Sequence, residues 1–458
     1  MTNIIRFPQG MFASLRGRLL EDLERETFAL LLAQREIIDT VCILKVREIR
    51  HLNEEDYESR GMAHLRPKRE FIHECLADIQ NRVDIDTIID VHTHPFCMDS
   101  VAFSGVDDRD EKNFTNWLNE HFDDIHYASL VLSRSDYMAR RWLMKKGHPQ
   151  QEPASVKTQT LSENWPDVRK GKMETTRLEA LTDPEKGFLA RSTLALGVDV
   201  IRQITQGQSI VVIGLGGLGS VIAENLIHTG FQTLHLIDPD QVESTNLNRI
   251  VGAYKTDAEA GNYKVHAVKR HLQNINPDSL VTTHATGVEN AATHALMATA
   301  DWIIVATDNH ASRAMAQRLS LRYGVPLLNT GVNISVDSGT MTDMSGEVIL
   351  VRYGDGFCLN CLGRINSTRV AAEENRKSIV GEELVKRGYV TGESVREPAV
   401  KTLNSIIGSL AVEQLLNQYT RRQEHQPVWV YENNAGPAIY PDTGSLRERR
   451  TDCFSCGL

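Results

Sequence analysis

Three groups of residues in this chain have the types and spacing for chemistry. In the first, the β-branched run Thr87-Ile88-Ile89-Asp90-Val91 leads into His92-Thr93-His94-Pro95. Side chains alternate along a strand, so His92 and His94 share a face. Pro95 then ends the strand, because it cannot donate to the ladder. Two such histidines can supply two of the three protein ligands of an open, catalytic zinc site. Asp107, opening a helical stretch after Ser104-Gly105-Val106, offers a third. The competing reading of an isolated pair of this kind is two surface histidines. In the second group, Ile210-Val211-Val212-Ile213 drops into Gly214-Leu215-Gly216-Gly217-Leu218-Gly219, then into a helical pattern running to Gly230. A buried strand, a tight turn and a helix N-terminus present free backbone N–H groups and a dipole that favour a phosphate. Asp238, about 20 positions on, is placed to bind a ribose hydroxyl. NAD-dependent oxidoreductases and ATP enzymes share both features, so this pattern alone leaves the two open. In the third, Cys358-x-x-Cys361 and Cys453-x-x-Cys456 form two short-spaced pairs. Four thiolates in two such knuckles make a closed tetrahedral structural zinc site. The alternative, redox dithiols, has nothing thioredoxin-like around it.

The elements that must position these groups follow from periodicity. Apolar spacing predicts an opening helix from Met11 to Leu23, strands at Phe28–Leu32 and Val41–Val46, and a helix over 66–82. Strand-like runs at Tyr127–Leu132 and Tyr137–Met144 complete a first domain over 1–150. From Lys145 to about Gly187 the chain turns polar and is punctuated by Gly147, Pro149, Pro153, Pro166 and Pro184. That composition predicts an exposed connector, 151–185, with one short helix near 173–182. The last domain, 186–458, carries further strands at Thr233–Ile237 and Trp302–Ala306. It also carries a helix over Lys401–Tyr419, whose stripe Leu403, Ile406, Ile407, Leu410, Ala411 and Leu415 reads as core or dimer interface.

At 458 residues the chain is long for one core. A hydrophobic share of 41% with 24% charged residues is ordinary for a globular protein, and a net charge of −10 argues against a nucleic-acid surface. No apolar run approaches the roughly 18 residues of a membrane span, and the N-terminus lacks a secretory core. A cytoplasmic location is expected. There, seven cysteines are better explained as metal ligands, catalytic groups or buried thiols than as disulfides.

The pattern H-x-H-P followed by S-x-x-D resembles the JAMM motif of the JAB/MPN metalloproteases. An upstream glutamate is also part of that family's site, and Glu26 in Glu26-Thr27-Phe28-Ala29-Leu30-Leu31-Leu32-Ala33 matches it, with Glu21 and Glu24 nearby. Ala29 and Ala33 stand where the family often has glycines. The resemblance implies cleavage of peptide or isopeptide bonds at the tail of a ubiquitin-like protein. His92, His94 and Asp107 would hold zinc, Glu26 would act as general base, and Ser104 would stabilise the oxyanion.

In the last domain, Glu243-Ser244-Thr245-Asn246-Leu247-Asn248-Arg249, Gly261-Asn262-Tyr263-Lys264 and Thr307-Asp308-Asn309 closely resemble the ThiF/MoeB/HesA family, the adenylation domain shared with ubiquitin-activating enzymes. An enzyme splitting ATP into AMP and pyrophosphate needs cations where charge builds on the departing phosphates. The resemblance puts Arg249 and Lys264 there, with Asn246 beside them. The glycines Gly214, Gly216, Gly217 and Gly219 would cradle ATP, Asp238 would hold the ribose, and Asp240 is a second acid. Asp308, followed by Asn309, would coordinate magnesium. Arg191 matches an arginine that reaches a neighbouring subunit's site, which implies a homodimer. MoeB-like relatives share the cysteine pairs. Ubiquitin-activating enzymes also use a crossover cysteine as a thioester carrier, but 363–400 contains none. The adenylate would therefore pass to a separate thiol.

The expected fold class is α/β: an N-terminal JAB/MPN domain plus a Rossmann-like ThiF domain with a mostly parallel sheet. The expected function is bifunctional. A zinc-dependent peptidase would mature or deconjugate a ubiquitin-like or sulfur-carrier protein ending in Gly-Gly. An ATP-, magnesium-dependent adenylyltransferase would activate the freed carboxylate for sulfur transfer or conjugation. A sulfurtransferase or conjugating enzyme is the implied next partner, and nucleic acid and membrane are not. The rival readings are a catalytically inactive scaffold and an NAD-dependent oxidoreductase.

Overall fold

The computed structural model describes residues 1–62, 64–97, 100–159, 178–206, 208–376, 398–449 and 452–456. The chain divides into two compact units, Met1–Met173 and Glu174–Leu458.

The first unit contains β1 (Thr2–Phe7), α1 (Met11–Leu19), β2 (Phe28–Ile38), β3 (Val41–His51), β4 (Tyr57–Arg60), β5 (Leu65–Pro67) and α2 (Arg69–Gln80). It continues with β6 (Thr87–Thr93), α3 (Gly105–His121), β7 (His126–Leu132), β8 (Tyr137–Lys145) and β9 (His148–Thr158). Seven strands close into a barrel in the order β1-β3-β2-β6-β7-β8-β9, because β1 pairs in parallel with both β3 and β9. Alternation sorts the side chains. Ile5, Leu31, Leu44, Ile89 and Leu130 fill one cluster with Phe12 and Leu15 of α1. Leu30, Leu32, Ile88, Tyr127 and Trp142 fill the other, against Leu76 and Ile79 of α2 and Leu118 of α3.

Several expectations are corrected here. Strand β1 precedes the opening helix, which ends at Leu19 instead of Leu23. The expected connector begins as structure: β9 runs to Thr158, paired with β8 and β1. Its sequence reads as loop because it is proline-dotted and largely exposed, while its barrel-closing register is set by tertiary pairing. The β4–β5 hairpin was likewise not expected. The short helix of the connector is seen at 178–182; the rest of its expected span lies outside the described residues.

The second unit opens with α4 (Ala190–Leu196) and α5 (Val198–Thr205). Then come β10 (Ser209–Ile213), α6 (Gly217–Thr229), β11 (Thr233–Ile237), α7 (Lys255–Ala260), α8 (Lys264–Ile275), β12 (Leu280–His284) and α9 (Ala291–Thr299). After these lie β13 (Trp302–Val305), α10 (His310–Tyr323), β14 (Leu327–Asp337), β15 (Thr340–Val351), α11 (Ser367–Arg376), α12 (Lys401–Thr420), β16 (Val428–Glu432), β17 (Ala438–Pro441) and α13 (Thr443–Arg447). The eight strands run β12-β11-β10-β13-β14-β15-β16-β17, parallel through β14 and antiparallel beyond. This is the Rossmann-like α/β arrangement, with the strand-order reversal beside β10 where a ligand crevice forms. Leu403, Ile407, Ala411 and Leu415 of α12 are fully buried and belong to the core, while Ile406 and Leu410 of the expected stripe are half-buried. Among the described residues no helix is long and apolar enough to cross a membrane.

Candidate functional sites

The first candidate centre lies where β6 ends and α3 begins. His92 belongs to β6, and the backbone N–H of His94 donates to Leu132 O at 2.8 Å, holding His94 against β7 just past the strand. The two rings sit on one side, centroids 5.1 Å apart. Ser104 caps α3: its Oγ accepts the N–H groups of Val106 and Asp107, each at 3.2 Å, while the Asp107 carboxylate accepts the Ser104 N–H. This capping box fixes Asp107 in the first turn, with its oxygens 3.5 Å from His92 Nε2 and 3.8 Å from His94 Nε2. Glu26 precedes β2, its N–H donating to Gly61 O at 2.9 Å, and its carboxylate lies 3.8 Å from His94 Nε2.

The electrostatics fit a cation. One ligand atom from each of His92, His94 and Asp107 lies within 4.8 Å of the others. His92 Nε2 is buried without a hydrogen-bond partner, an atom that a metal would satisfy. Burial raises the Asp107 carboxyl, but His92 and the Ser104 donors outweigh it and hold Asp107 well below the usual carboxylate range. Burial, reinforced by Asp107 and opposed by His92, pushes Glu26 up to about 7. A carboxyl poised there can accept and return a proton near neutral pH. Ser104 is exposed, and its hydroxyl as well as its backbone N–H lies against the Asp107 carboxylate and helps to keep it ionised.

Behind this cluster lie residues that the sequence reading missed. Asp90, two positions before His92, is half-buried and bound by the Tyr127 hydroxyl. Glu111, one turn past Asp107, accepts from Arg140 Nε at 2.8 Å and from Trp142 Nε1 at 2.6 Å. The available signals were an acid interrupting an apolar strand and an acid at i+4 from a ligand.

The second site gathers at the carboxyl ends of β10, β11 and β13. Gly214 has φ of 88°, and a Cβ there would lie 2.8 Å from Ala306 O; a Cβ on Gly219 would lie 1.8 Å from Gly214 O. Only glycine lets this turn close against the segment that carries Asp308. Gly216 caps α6, and Gly217 packs against Arg249. Asp238 accepts from Leu215 N at 2.6 Å and Asp240 N at 2.8 Å; burial raises its carboxyl while Lys264 opposes that. A carboxylate has further lone pairs for a ribose hydroxyl. Lys264 Nζ meets Asp240 at 2.7 Å, so the second acid pairs with the expected phosphate cation. Asp308 is exposed just after β13.

Two expected nucleotide ligands also serve their own loops. Asn246 Oδ1 accepts Glu243 N at 3.0 Å, and Asn309 Oδ1 accepts Ser312 N at 2.7 Å as the cap of α10. These oxygens hold their own loops, because asparagine competes well for backbone donors. Arg191 is exposed on α4.

The four cysteines converge. Cys358 and Cys453 sulfurs lie 3.6 Å apart, Cys361 and Cys456 sulfurs 3.9 Å, and all four lie within 4.8 Å. Zinc–sulfur bonds of about 2.3 Å in a tetrahedron require sulfurs roughly 3.8 Å apart. Burial raises the Cys358 thiol to about 11, so its thiolate form requires a compensating cation.

Comparison with known proteins gives the following. Residues 189–453 match the model of the ThiF family. The molybdopterin-synthase adenylyltransferase of Escherichia coli (strain K12) is 31% identical over 187 residues, spanning 40% of this chain and 71% of that protein. The adenylyltransferase and sulfurtransferase MOCS3 of Anopheles gambiae is 30% identical over 154 residues, spanning 34% of this chain and only 32% of that protein. Ubiquitin-like modifier-activating enzyme 5 of Drosophila grimshawi is 29% identical over 221 residues, spanning 46% and 50%. Among solved structures, E. coli MccB with ATP aligns at 18% identity and a TM-score of 0.44, over 65% of this chain and 83% of that one.

Proposed function

Because the chain belongs to the ThiF family, we propose that its second unit adenylates the C-terminal carboxylate of a ubiquitin-like or sulfur-carrier protein ending in Gly-Gly. The observation that carries this reading is the glycine turn meeting Arg249 and the Asp308 segment, with Lys264 paired to Asp240 nearby. ATP is the substrate. Backbone N–H groups at the start of α6 would receive its phosphates, Asp238 the ribose, and Arg249 and Lys264 the charge on the leaving pyrophosphate. Lys264 would exchange Asp240 for phosphate as ATP enters. Asp308 would hold magnesium, and Arg191 would serve the site of a second subunit in a cytoplasmic homodimer. With no cysteine between 363 and 400, the adenylate would pass to a sulfurtransferase or to a conjugating enzyme.

A second reading is favoured by the His92–His94–Asp107 geometry. The first unit (residues 1–150 and onward through β9) would be a JAB/MPN peptidase that trims or releases the same tail. Zinc held there would supply Lewis-acid activation of water and carbonyl. Glu26 would take a proton and deliver it to the leaving amine, and Ser104 would donate to the oxyanion. The C-terminal cysteines would hold a structural zinc that ties the segment around Cys453 to the body of the unit.

The test is ATP–pyrophosphate exchange by the purified chain with a β-grasp protein ending in Gly-Gly. Exchange that depends on that protein and on magnesium is expected. NAD binding without exchange would restore the oxidoreductase reading. Exchange absent, with zinc absent from the histidine centre, would favour an inactive scaffold.

A further inference from the structure

The buried polar cluster behind the histidine centre is larger than a barrel core requires. Arg140 lies on β8 and Glu111 on α3, with side chains 6% and 5% exposed. Their contact is 2.8 Å, and Arg140 also reaches Asp108 and, at 2.6 Å, Gln151 Oε1. Glu111 further accepts from Trp142 Nε1 at 2.6 Å and from the Ser129 hydroxyl. The guanidinium stacks 3.6 Å over Phe103, whose ring lies 6.0 Å from that of His92. Asp108 and Glu111 are the residues one and four past Asp107. One side chain from the sheet therefore grips the helix at two points in the turn that follows the expected ligand.

We propose that Arg140 and Glu111 are positioning residues for the metal centre, setting the rotation and height of α3 so that the Asp107 carboxylate meets His92 and His94. The proposal rests on the reading of His92, His94 and Asp107 as a zinc site. The physical argument concerns register. Two ligands come from a strand and one from a helix, and the helix is free to roll or slide unless something fixes it to the sheet. A capping box holds Asp107 relative to its own helix only. The rigid Arg140 fork, bonded through Nε to Glu111 and through Nη1 to Asp108, fixes the helix to β8, and Glu111 fixes it to Ser129 of β7 as well. Outer-shell groups of this kind typically change metal affinity by about 10–100-fold.

The experiment is metal binding by the full chain, read with cobalt(II) so that thiolate bands from the cysteine site and weaker bands from the histidine site are separated, together with thermal unfolding of metal-free protein. Three variants are compared. Glu111→Gln keeps an acceptor for Ser129 and Trp142 but removes the charge. Arg140→Lys keeps the charge but loses the fork. Asp108→Asn, half exposed, is the mild variant that carries the test should the others not fold. Affinity at the histidine site is expected to fall about 10–100-fold in the first two and severalfold in the third, with the cysteine-site bands unchanged. Folded variants with wild-type affinity, even at a lowered unfolding midpoint, would make the pair structural only and overturn the proposal. A wild-type chain that shows no histidine-site band would instead overturn the underlying zinc reading.

Discussion

The cysteine cluster of the second unit and the histidine cluster of the first differ in ligand number, charge and surroundings. Four sulfurs within 4.8 Å of one another, two pairs of them 3.6 and 3.9 Å apart, would fill a tetrahedral ion's coordination and leave no room for a reacting water. Two imidazoles and one carboxylate would leave a bound zinc one position open, and the Glu26 carboxylate, raised to about 7, lies 3.8 Å from His94 Nε2. The comparison teaches that ligand count and the nearest proton acceptor separate a structural ion from a working one. The cysteine site should therefore govern folding, and the histidine site should govern rate.

The largest expected effect comes from breaking the closed site. Cys358→Ser or Cys453→Ser should release one zinc and destabilise the second unit by several kcal/mol, given structural sites of about 10–16 kcal/mol. Thermal unfolding with zinc analysis reads this; an unchanged midpoint would remove the distinction. Next, Glu26→Gln should lower cleavage of a ubiquitin-like tail by about 10²–10⁴-fold while both zincs remain bound. Loss of zinc together with activity would make Glu26 a ligand instead of a base. A smaller effect, about 10²–10³-fold, is expected in ATP–pyrophosphate exchange for Lys264→Ala, with both metals unaffected. Its failure would mean that the pairing with Asp240 persists when ATP is bound.

The smallest effect is a pH dependence. In zinc-free protein the folded state keeps the Glu26 proton up to about 7, whereas the unfolded chain releases it near 4.5. The folded state then binds more protons across that window, so stability falls as pH rises through it. Wild type should lose stability relative to Glu26→Gln between these values, and zinc should abolish the difference by favouring the carboxylate. Parallel curves in the metal-free proteins would contradict the raised carboxyl.

The groups legible in the sequence are those whose spacing is local. The same-face histidines, the glycine turn and the cysteine pairs each specify geometry within a few residues. Strand β9 was not legible, since its sequence is proline-dotted and half exposed, and it is held by pairing with β8 and, across the barrel closure, with β1. Glu111 and Arg140 were not legible either, because buried ion pairs and surface charges look alike along a chain. Asn246 and Asn309 carry a structural duty that the family pattern does not suggest: their side-chain oxygens also accept local backbone donors.

That both units act on one protein tail is tested most directly by ATP–pyrophosphate exchange with a β-grasp protein in two forms, one ending in Gly-Gly and one carrying a C-terminal extension. Wild type should support exchange with both forms, and Glu26→Gln only with the first. Equal exchange with the extended form in the two enzymes would contradict the account.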